Sequence, residues 1–205
     1  MKIGVMGGTF DPIHIGHLVI AEEARAQFEL ETVVFVPSAR PPHKVTMPHA
    51  PALDRLRMAE LAVEGNRALN VSELEVKREG ISYTIDTLRD LHGVYGSGAE
   101  LFFITGADAI LEMLTWKDPE KLLAESKFIA ATRPGYALEE IAGAIPEFNS
   151  AGQKARNLVF SMEIPALAIS STDIRERVCE GRPFRYLVPD TVWGYIIDKR
   201  LYVQR

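Results

Sequence analysis

Short apolar runs alternate along this chain with segments whose apolar residues recur every three or four positions. The runs 2–6, 32–36, 70–72, 101–105, 128–132 and 158–162 predict strands. Most are apolar at nearly every position, as in strands buried on both faces; 70–72 carries the weakest pattern. Between them, 15–28, 51–65, 84–92, 107–113, 119–125 and 137–143 predict helices. In 15–28, Leu18, Ala21, Ala24 and Phe28 make one apolar stripe. Strand–helix–strand alternation implies right-handed crossovers and a parallel sheet, hence a doubly wound, Rossmann-like α/β fold. Two further helices, about 171–180 and 189–199, have no strong strand after them. They predict a C-terminal helical cap, 166–205, on a core of 1–165, all within one domain. The loop 37–51 holds five prolines, so it is extended. Long loops in compact domains often bind or cover ligands.

Composition narrows the function. With 205 residues, 47% hydrophobic and 25% charged, the chain can bury a full core. A net charge of −5 disfavours nucleic acid as a partner, since phosphate-backbone binders show a basic surplus or stripe. The single cysteine, Cys179, reads as a semi-buried thiol near a helix end. No apolar run approaches a membrane span and the first residues show no signal-peptide pattern, so the expectation is a cytoplasmic protein acting on small molecules. A homo-oligomer is left open.

The chemistry concentrates after the first strand, in GGTFDPIHIGH, Gly7 to His17. Open α/β sheets bind ligands at the carboxyl ends of their strands. Gly7 and Gly8 let a phosphate approach the backbone, and Thr9 and Phe10 continue the loop into Asp11-Pro12, a turn pair. The next helix begins near His14, so its free N–H groups point at the loop. His14 and His17 lie about one turn apart, with Gly16 thinning the surface between them. Three readings are open: ordinary surface histidines, a zinc pair lacking a third ligand at recognisable spacing, or donors to phosphate oxygens. The dinucleotide pattern GxGxxG and the Walker pattern are both absent.

Downstream, ISSTDIR (Ile169 to Arg175) offers a second helix N-terminus. Ser170 and Asp173 read as a capping box, Ser171 and Thr172 supply hydroxyls and first-turn N–H groups, and Arg175 adds a permanent charge. FFITGADAI ends a strand and opens a helix, where Gly106 allows close approach and Asp108 can accept from ribose hydroxyls. PPHK carries Lys44, suited to substrate phosphate. Trp193 reads as a core tryptophan.

Within GGTFDPIHIGH, residues 14–17 resemble the signature of the HIGH nucleotidyltransferase superfamily. That group includes class I aminoacyl-tRNA synthetases, phosphopantetheine adenylyltransferases, cytidylyltransferases and pyridine-nucleotide adenylyltransferases. SYTIDTL (Ser82 to Leu88), GAD, Trp116, RPG and ISSTDIR follow in the order of the nicotinate-mononucleotide adenylyltransferases, over residues 3 to about 192. The resemblance implies AMP transfer from ATP to nicotinate mononucleotide, giving deamido-NAD and pyrophosphate. It implies that Trp116 is a platform for the pyridine ring, that Tyr83 flanks the ring, that Thr84 and its N–H meet a carboxylate or amide on it, and that Arg133 pairs with a carboxylate or phosphate. It places His14, His17, Lys44, Ser171, Thr172 and Arg175 on the phosphates, with Mg²⁺ carried mainly by ATP and no protein ligand named for it. Nicotinamide mononucleotide as acceptor and a non-catalytic nucleotide sensor remain as alternatives. A synthetase reading lacks KMSKS, an anticodon-binding domain and a basic surplus.

Overall fold

A computed structural model describes residues 1–40, 48–112, 116–132, 158–165 and 167–203, with the backbone only at residues 108, 111 and 112. Six strands, β1 (Lys2–Gly8), β2 (Thr32–Pro37), β3 (Leu69–Val71), β4 (Glu100–Gly106), β5 (Lys127–Thr132) and β6 (Val159–Glu163), form one parallel sheet in the order β3-β2-β1-β4-β5-β6. Each predicted strand is present within two residues of its expected bounds. Helices α1 (Ile15–Gln27), α2 (Ala52–Val63), α4 (Thr84–Tyr95), α5 (Ala107–Glu112) and α6 (Pro119–Glu125) match five predicted segments. So do α7 (Ser171–Cys179) and α8 (Asp190–Lys199). A one-turn helix α3 (Leu74–Lys77) and a 3-10 turn (Arg185–Leu187) were not predicted. The helix expected at 137–143 lies outside the described residues.

The strand order reverses between β1 and β4, which are registered in parallel from Lys2↔Glu100 to Val5↔Phe103. In such sheets the crevice outside the carboxyl ends of the two strands at the reversal is where ligands bind. Here those ends are Gly7–Gly8 and Gly106. Strand β2 is buried at all six positions, the consequence of an apolar run inside a parallel sheet.

The described residues cluster into two compact units. The first comprises 1–7, 20–33 and 83–166. Its core gathers Ile3, Val5, Leu88, Leu101, Ile104 and Phe128. In α4, Ile85, Leu88 and Leu91 recur every three residues on the buried face. Its other side meets α6, where Arg89 bonds Glu125 at 3.1 Å and His92 Nε2 lies 2.8 Å from the Glu125 carbonyl. Phe28, at the end of the α1 stripe, packs edge-on against Phe160.

The second unit comprises 8–19, 34–82 and 167–205. Val192 and Ile196 bury one face of α8. The Thr191 hydroxyl donates to the Leu61 carbonyl at 2.9 Å, and Tyr195 to Asp54 at 2.8 Å, which fixes α8 against α2. Two sequence expectations are corrected here. Cys179 is exposed, because it stands five residues beyond Ile174, the buried residue of α7, and so on the far side of the helix. Trp193 is half-buried, not a core residue: the Arg185 guanidinium lies 4.7 Å from its ring. Among the described residues no helix is long and apolar enough to cross a membrane.

Gly4 in β1 leaves no room for a side chain: a Cβ there would stand 2.9 Å from methyl groups of Ile104, Leu30 and Val33. Gly93 in α4 has nothing within 4 Å. Denaturant unfolding is expected to show Gly4→Ala destabilised by about 1–3 kcal/mol through overpacking. Gly93→Ala is expected to be stabilised by about 0.5–1 kcal/mol through helix propensity.

Candidate active site

The loop between β1 and α1 is built around two stacked imidazoles. The rings of His14 and His17 lie 3.7 Å apart between centroids and 26° from parallel. The His14 main-chain N–H donates to Nδ1 of His17 at 3.2 Å, and the His17 N–H returns to the His14 carbonyl at 3.0 Å. Because Nδ1 of His17 accepts a hydrogen bond, the proton of the neutral ring resides on Nε2. Burial lowers the pKa of His14 from 6.5 to about 4. Burial and the neighbouring His14 hold His17 well below its ordinary value. Both rings are therefore neutral at pH 7, and His17 presents an N–H dipole, not a charge. Nδ1 of His14 is buried without a protein partner among the described residues.

Small residues make this stack possible. A Cβ on Gly16 would sit 3.1 Å from the His14 ring, and one on Gly8 would sit 3.0 Å from the Phe10 ring. Phe10 takes a left-handed φ of 48° and buries its ring edge-on against His17 and Phe35. What Phe10 can offer a nucleotide is therefore main chain; its ring seats His17. Thr9 contributes its carbonyl to Arg55 at 2.6 Å.

Helix α7 locks onto the same loop. Ser170 caps it by accepting the Asp173 N–H at 3.1 Å. The carboxylate of Asp173 turns away to Arg177 at 2.8 Å, so the expected capping box is half-formed. The Ser171 hydroxyl donates to the Pro12 carbonyl at 2.8 Å, which makes that hydroxyl a latch; the first-turn N–H groups of Ser171 and Thr172 have no acceptor within the helix. Arg175 donates from Nη1 to the Asp11 carbonyl at 2.7 Å and from Nη2 to Thr172 Oγ1 at 3.2 Å. His14, His17, Ser171, Thr172 and Arg175 thus belong to one cradle of N–H donors with one fixed positive charge.

Gly7, Tyr83, Thr84, Gly106 and Trp116 lie in the first unit. Tyr83 caps α4, and Thr84 is the first helical residue, where a main-chain N–H has no partner within the helix. The Lys117 ammonium sits 4.5 Å from the Tyr83 ring centroid and bonds Asp86 at 3.0 Å. Trp116, partly exposed, meets Phe103 edge-on at 6.0 Å. A Cβ on Gly7 would meet the same Phe103 ring at 3.2 Å, whereas Gly106 faces open space. Asp108 is the second residue of α5; its side chain, like Lys44 and Arg133 as a whole, lies outside the described residues.

The cytidylyltransferase-like family profile matches residues 5–177. The chain belongs to the cytidylyltransferase-like family. The "Probable nicotinate-nucleotide adenylyltransferase" of Moorella thermoacetica is 52% identical over 204 residues, covering 100% of this chain and 93% of that relative. The protein of the same name from Desulfitobacterium hafniense (strain DCB-2) is 49% identical, covering 98% and 95%. Among solved structures, the Plasmodium falciparum nicotinic acid mononucleotide adenylyltransferase complexed with APC superposes with a TM-score of 0.75 at 20% identity, covering 98% of this chain and 96% of that one. The same Plasmodium falciparum enzyme complexed with NaAD gives 0.75 at 21% identity, covering 98% and 97%. At that identity the structures establish the shared Rossmann-like fold.

In this member of the cytidylyltransferase-like family, three residues not expected to support the site hold the cradle. Arg55, on the buried face of α2, donates to the carbonyls of Thr9 and Ser38 (both 2.6 Å), Ala39 (3.3 Å) and Ala50 (3.1 Å). Its signal was a basic residue inside the apolar stripe of Leu56, Ala59 and Val63. Asp11, only 4% exposed, accepts the N–H groups of His49 (2.8 Å) and Ala50 (3.0 Å); the sequence reading took it for a turn former. Tyr202 donates to Asp11 at 2.9 Å from far along the chain, and no local pattern announces it.

The depressed histidine pKa values make stability depend on pH. Below pH 6.5 the unfolded chain takes up protons on His14 and His17 that the folded chain refuses, His14 doing so until about pH 4. Their contribution is therefore fully present above 6.5 and is lost as pH falls from 6.5 through about 4. Urea unfolding between pH 5 and 6.5 is expected to show His14→Asn with a shallower dependence than the parent, by up to about 1.4 kcal/mol per pH unit. Parallel curves would contradict a neutral, buried His14.

Proposed function

We propose that this chain transfers the AMP group of ATP to the 5′-phosphate of nicotinate mononucleotide, giving deamido-NAD and pyrophosphate in NAD biosynthesis. The observation that carries this reading is the cradle itself: two neutral, stacked imidazoles and a helix N-terminus latched to one loop, with Arg175 as its fixed charge. Full-length relatives named nicotinate-nucleotide adenylyltransferase support the choice of acceptor.

In this reaction a 5′-phosphate oxygen of the mononucleotide forms a bond to the α-phosphorus of ATP. The bond from that phosphorus to the oxygen bridging to the β-phosphate breaks, and pyrophosphate leaves with the electron pair. The nucleophile is already ionised, so no general base is required. The protein contributes alignment and stabilisation of charge as it moves toward the leaving group. His17 donates from Nε2 to an α- or β-phosphate oxygen, and His14 supports it. The first-turn N–H groups of α7 and the Thr172 hydroxyl hold the phosphate chain, and Arg175 offsets its charge. Gly7 and Gly8 let the nucleotide lie against main chain, and Gly106 at the end of β4 does the same. Trp116 and Tyr83 take the faces of the pyridine ring, while the N–H of Thr84 at the α4 N-terminus receives its carboxylate. Mg²⁺ enters with ATP as part of the substrate. No protein ligand is assigned to the ion, which phosphate oxygens and water would hold. The reaction belongs to the cytoplasm and its partners are small nucleotides.

Pyrophosphate release is measured with MgATP and nicotinate mononucleotide, nicotinamide mononucleotide or phosphopantetheine in turn. Nicotinate mononucleotide is expected to be strongly preferred. Release with another acceptor would overturn the pyridine pocket while keeping the cradle; release with none would make the protein a nucleotide sensor. His17→Ala is expected to lower kcat by roughly 10²-fold, the scale of one lost charge-stabilising donor. Unchanged kcat in a folded variant would remove His17 from the mechanism.

A further inference from the structure

Tyr202 follows α8 in a turn with a left-handed φ of 66°, and its hydroxyl donates to Oδ1 of Asp11 at 2.9 Å. The same oxygen takes the Ala50 N–H at 3.0 Å, and Oδ2 takes the His49 N–H at 2.8 Å. Arg175 meets this buried carboxylate only at the outer limit of ion-pair distance, and its hydrogen bonds go elsewhere. Its Nη1 stands 4.0 Å from Oδ2 and donates to the Asp11 main-chain carbonyl at 2.7 Å, while Nη2 reaches Thr172 Oγ1. A guanidinium beside a carboxylate ordinarily forms two parallel hydrogen bonds. Here three neutral donors already occupy the carboxylate, and the guanidinium is left on the carbonyl and on Thr172. Arg175, Thr172 and Tyr202 line a cleft of about 940 Å³, so the guanidinium has space into which it could swing.

We propose that Tyr202 is a positioning residue for Arg175: by occupying Asp11, its hydroxyl keeps the carboxylate from capturing the guanidinium and leaves Arg175 aimed at the phosphates of ATP. The inference rests on the reading of Arg175 as a phosphate ligand. Without the hydroxyl, Oδ1 keeps only the Ala50 N–H, and the gain in free carboxylate draws Arg175 off Thr172. The consequence falls on ATP and not on the acceptor.

The test is a double-mutant cycle of Tyr202→Phe and Arg175→Ala, read as KM for MgATP and for nicotinate mononucleotide in the pyrophosphate-release assay. Tyr202→Phe is expected to raise KM for ATP roughly five- to tenfold, the scale of one hydrogen bond, with KM for the acceptor within about twofold of the parent. In the Arg175→Ala background the same substitution is expected to add nothing further. Losses that add across the cycle, or equal rises in both KM values, would reduce Tyr202 to a packing residue and overturn the proposal. So would an unchanged KM for ATP in Tyr202→Phe beside a raised one in Arg175→Ala. If Arg175→Ala itself leaves KM for ATP and kcat unchanged, the phosphate reading of Arg175 fails, and the proposal with it. Should Tyr202→Phe melt below the assay temperature, ATP binding is titrated in the cold against the same criteria.

Discussion

Arg55 takes a permanent charge to a position 1% exposed, and what meets it there is main chain. Its donors reach four carbonyls, drawn from the loop after β1, the segment after β2 and the entry to α2. None of these stretches is in a strand or helix ladder at the bonded residue except through this side chain, and buried carbonyls without donors are costly. Asp11 supplies the opposite need on the same bend by accepting the N–H groups of His49 and Ala50. Ala50 thus has its N–H on Asp11 and its carbonyl on Arg55. Desolvation works against the Arg55 charge, and the nearby Asp11 works for it. Burying such groups adds little net stability. What the pair supplies is geometry: three irregular segments have one mutually satisfied arrangement, and the histidine stack sits upon it.

That arrangement decides the kind of electrostatics available at the cradle. Two imidazoles 3.7 Å apart repel strongly if both are charged, and they lie at the start of α1, where the helix dipole also disfavours cations. The site therefore holds both rings neutral and separates two tasks. Oriented N–H dipoles, from His17 and from the first turn of α7, are fixed by the fold, so in the proposed reaction they would stabilise developing charge without reorganising. Net positive charge comes from Arg175, whose own position is set by the carbonyl of Asp11. Such a division suits a reaction that moves negative charge from one phosphate oxygen to another.

The strands were legible because their burial on both faces leaves almost no polar residues in the run, as in β2. The cradle was legible because its residues cluster within two short motifs. The supporting groups were not, for reasons that differ. Arg55 was visible only as a misfit in an apolar stripe. Asp11 could satisfy the local rule for a turn and the distant need of the 49–50 bend at once, and only the first is written locally. Ser171 was expected to offer its hydroxyl to phosphate, yet that hydroxyl faces Pro12, since sequence gives the residue but not the direction of its donor. Cys179 was misjudged because α7 has one buried residue, Ile174, and a stripe that narrow cannot be extrapolated along the helix.

The contacts that complete the cradle are also the longest in sequence. Ser171 reaches Pro12 across 159 positions, Arg175 reaches Asp11 across 164, and Tyr202 reaches Asp11 across 191. Closing such loops costs chain entropy before any contact offsets it. A cradle made only from residues 7–17 would form early and cheaply, but it would lack both the second helix terminus and the fixed charge of Arg175. By drawing the last elements of the chain onto the first loop, the fold makes the cradle a property of the completed unit. On the proposed reading, the neutral histidines would meet a polyphosphate only with Arg175 in place to offset its charge.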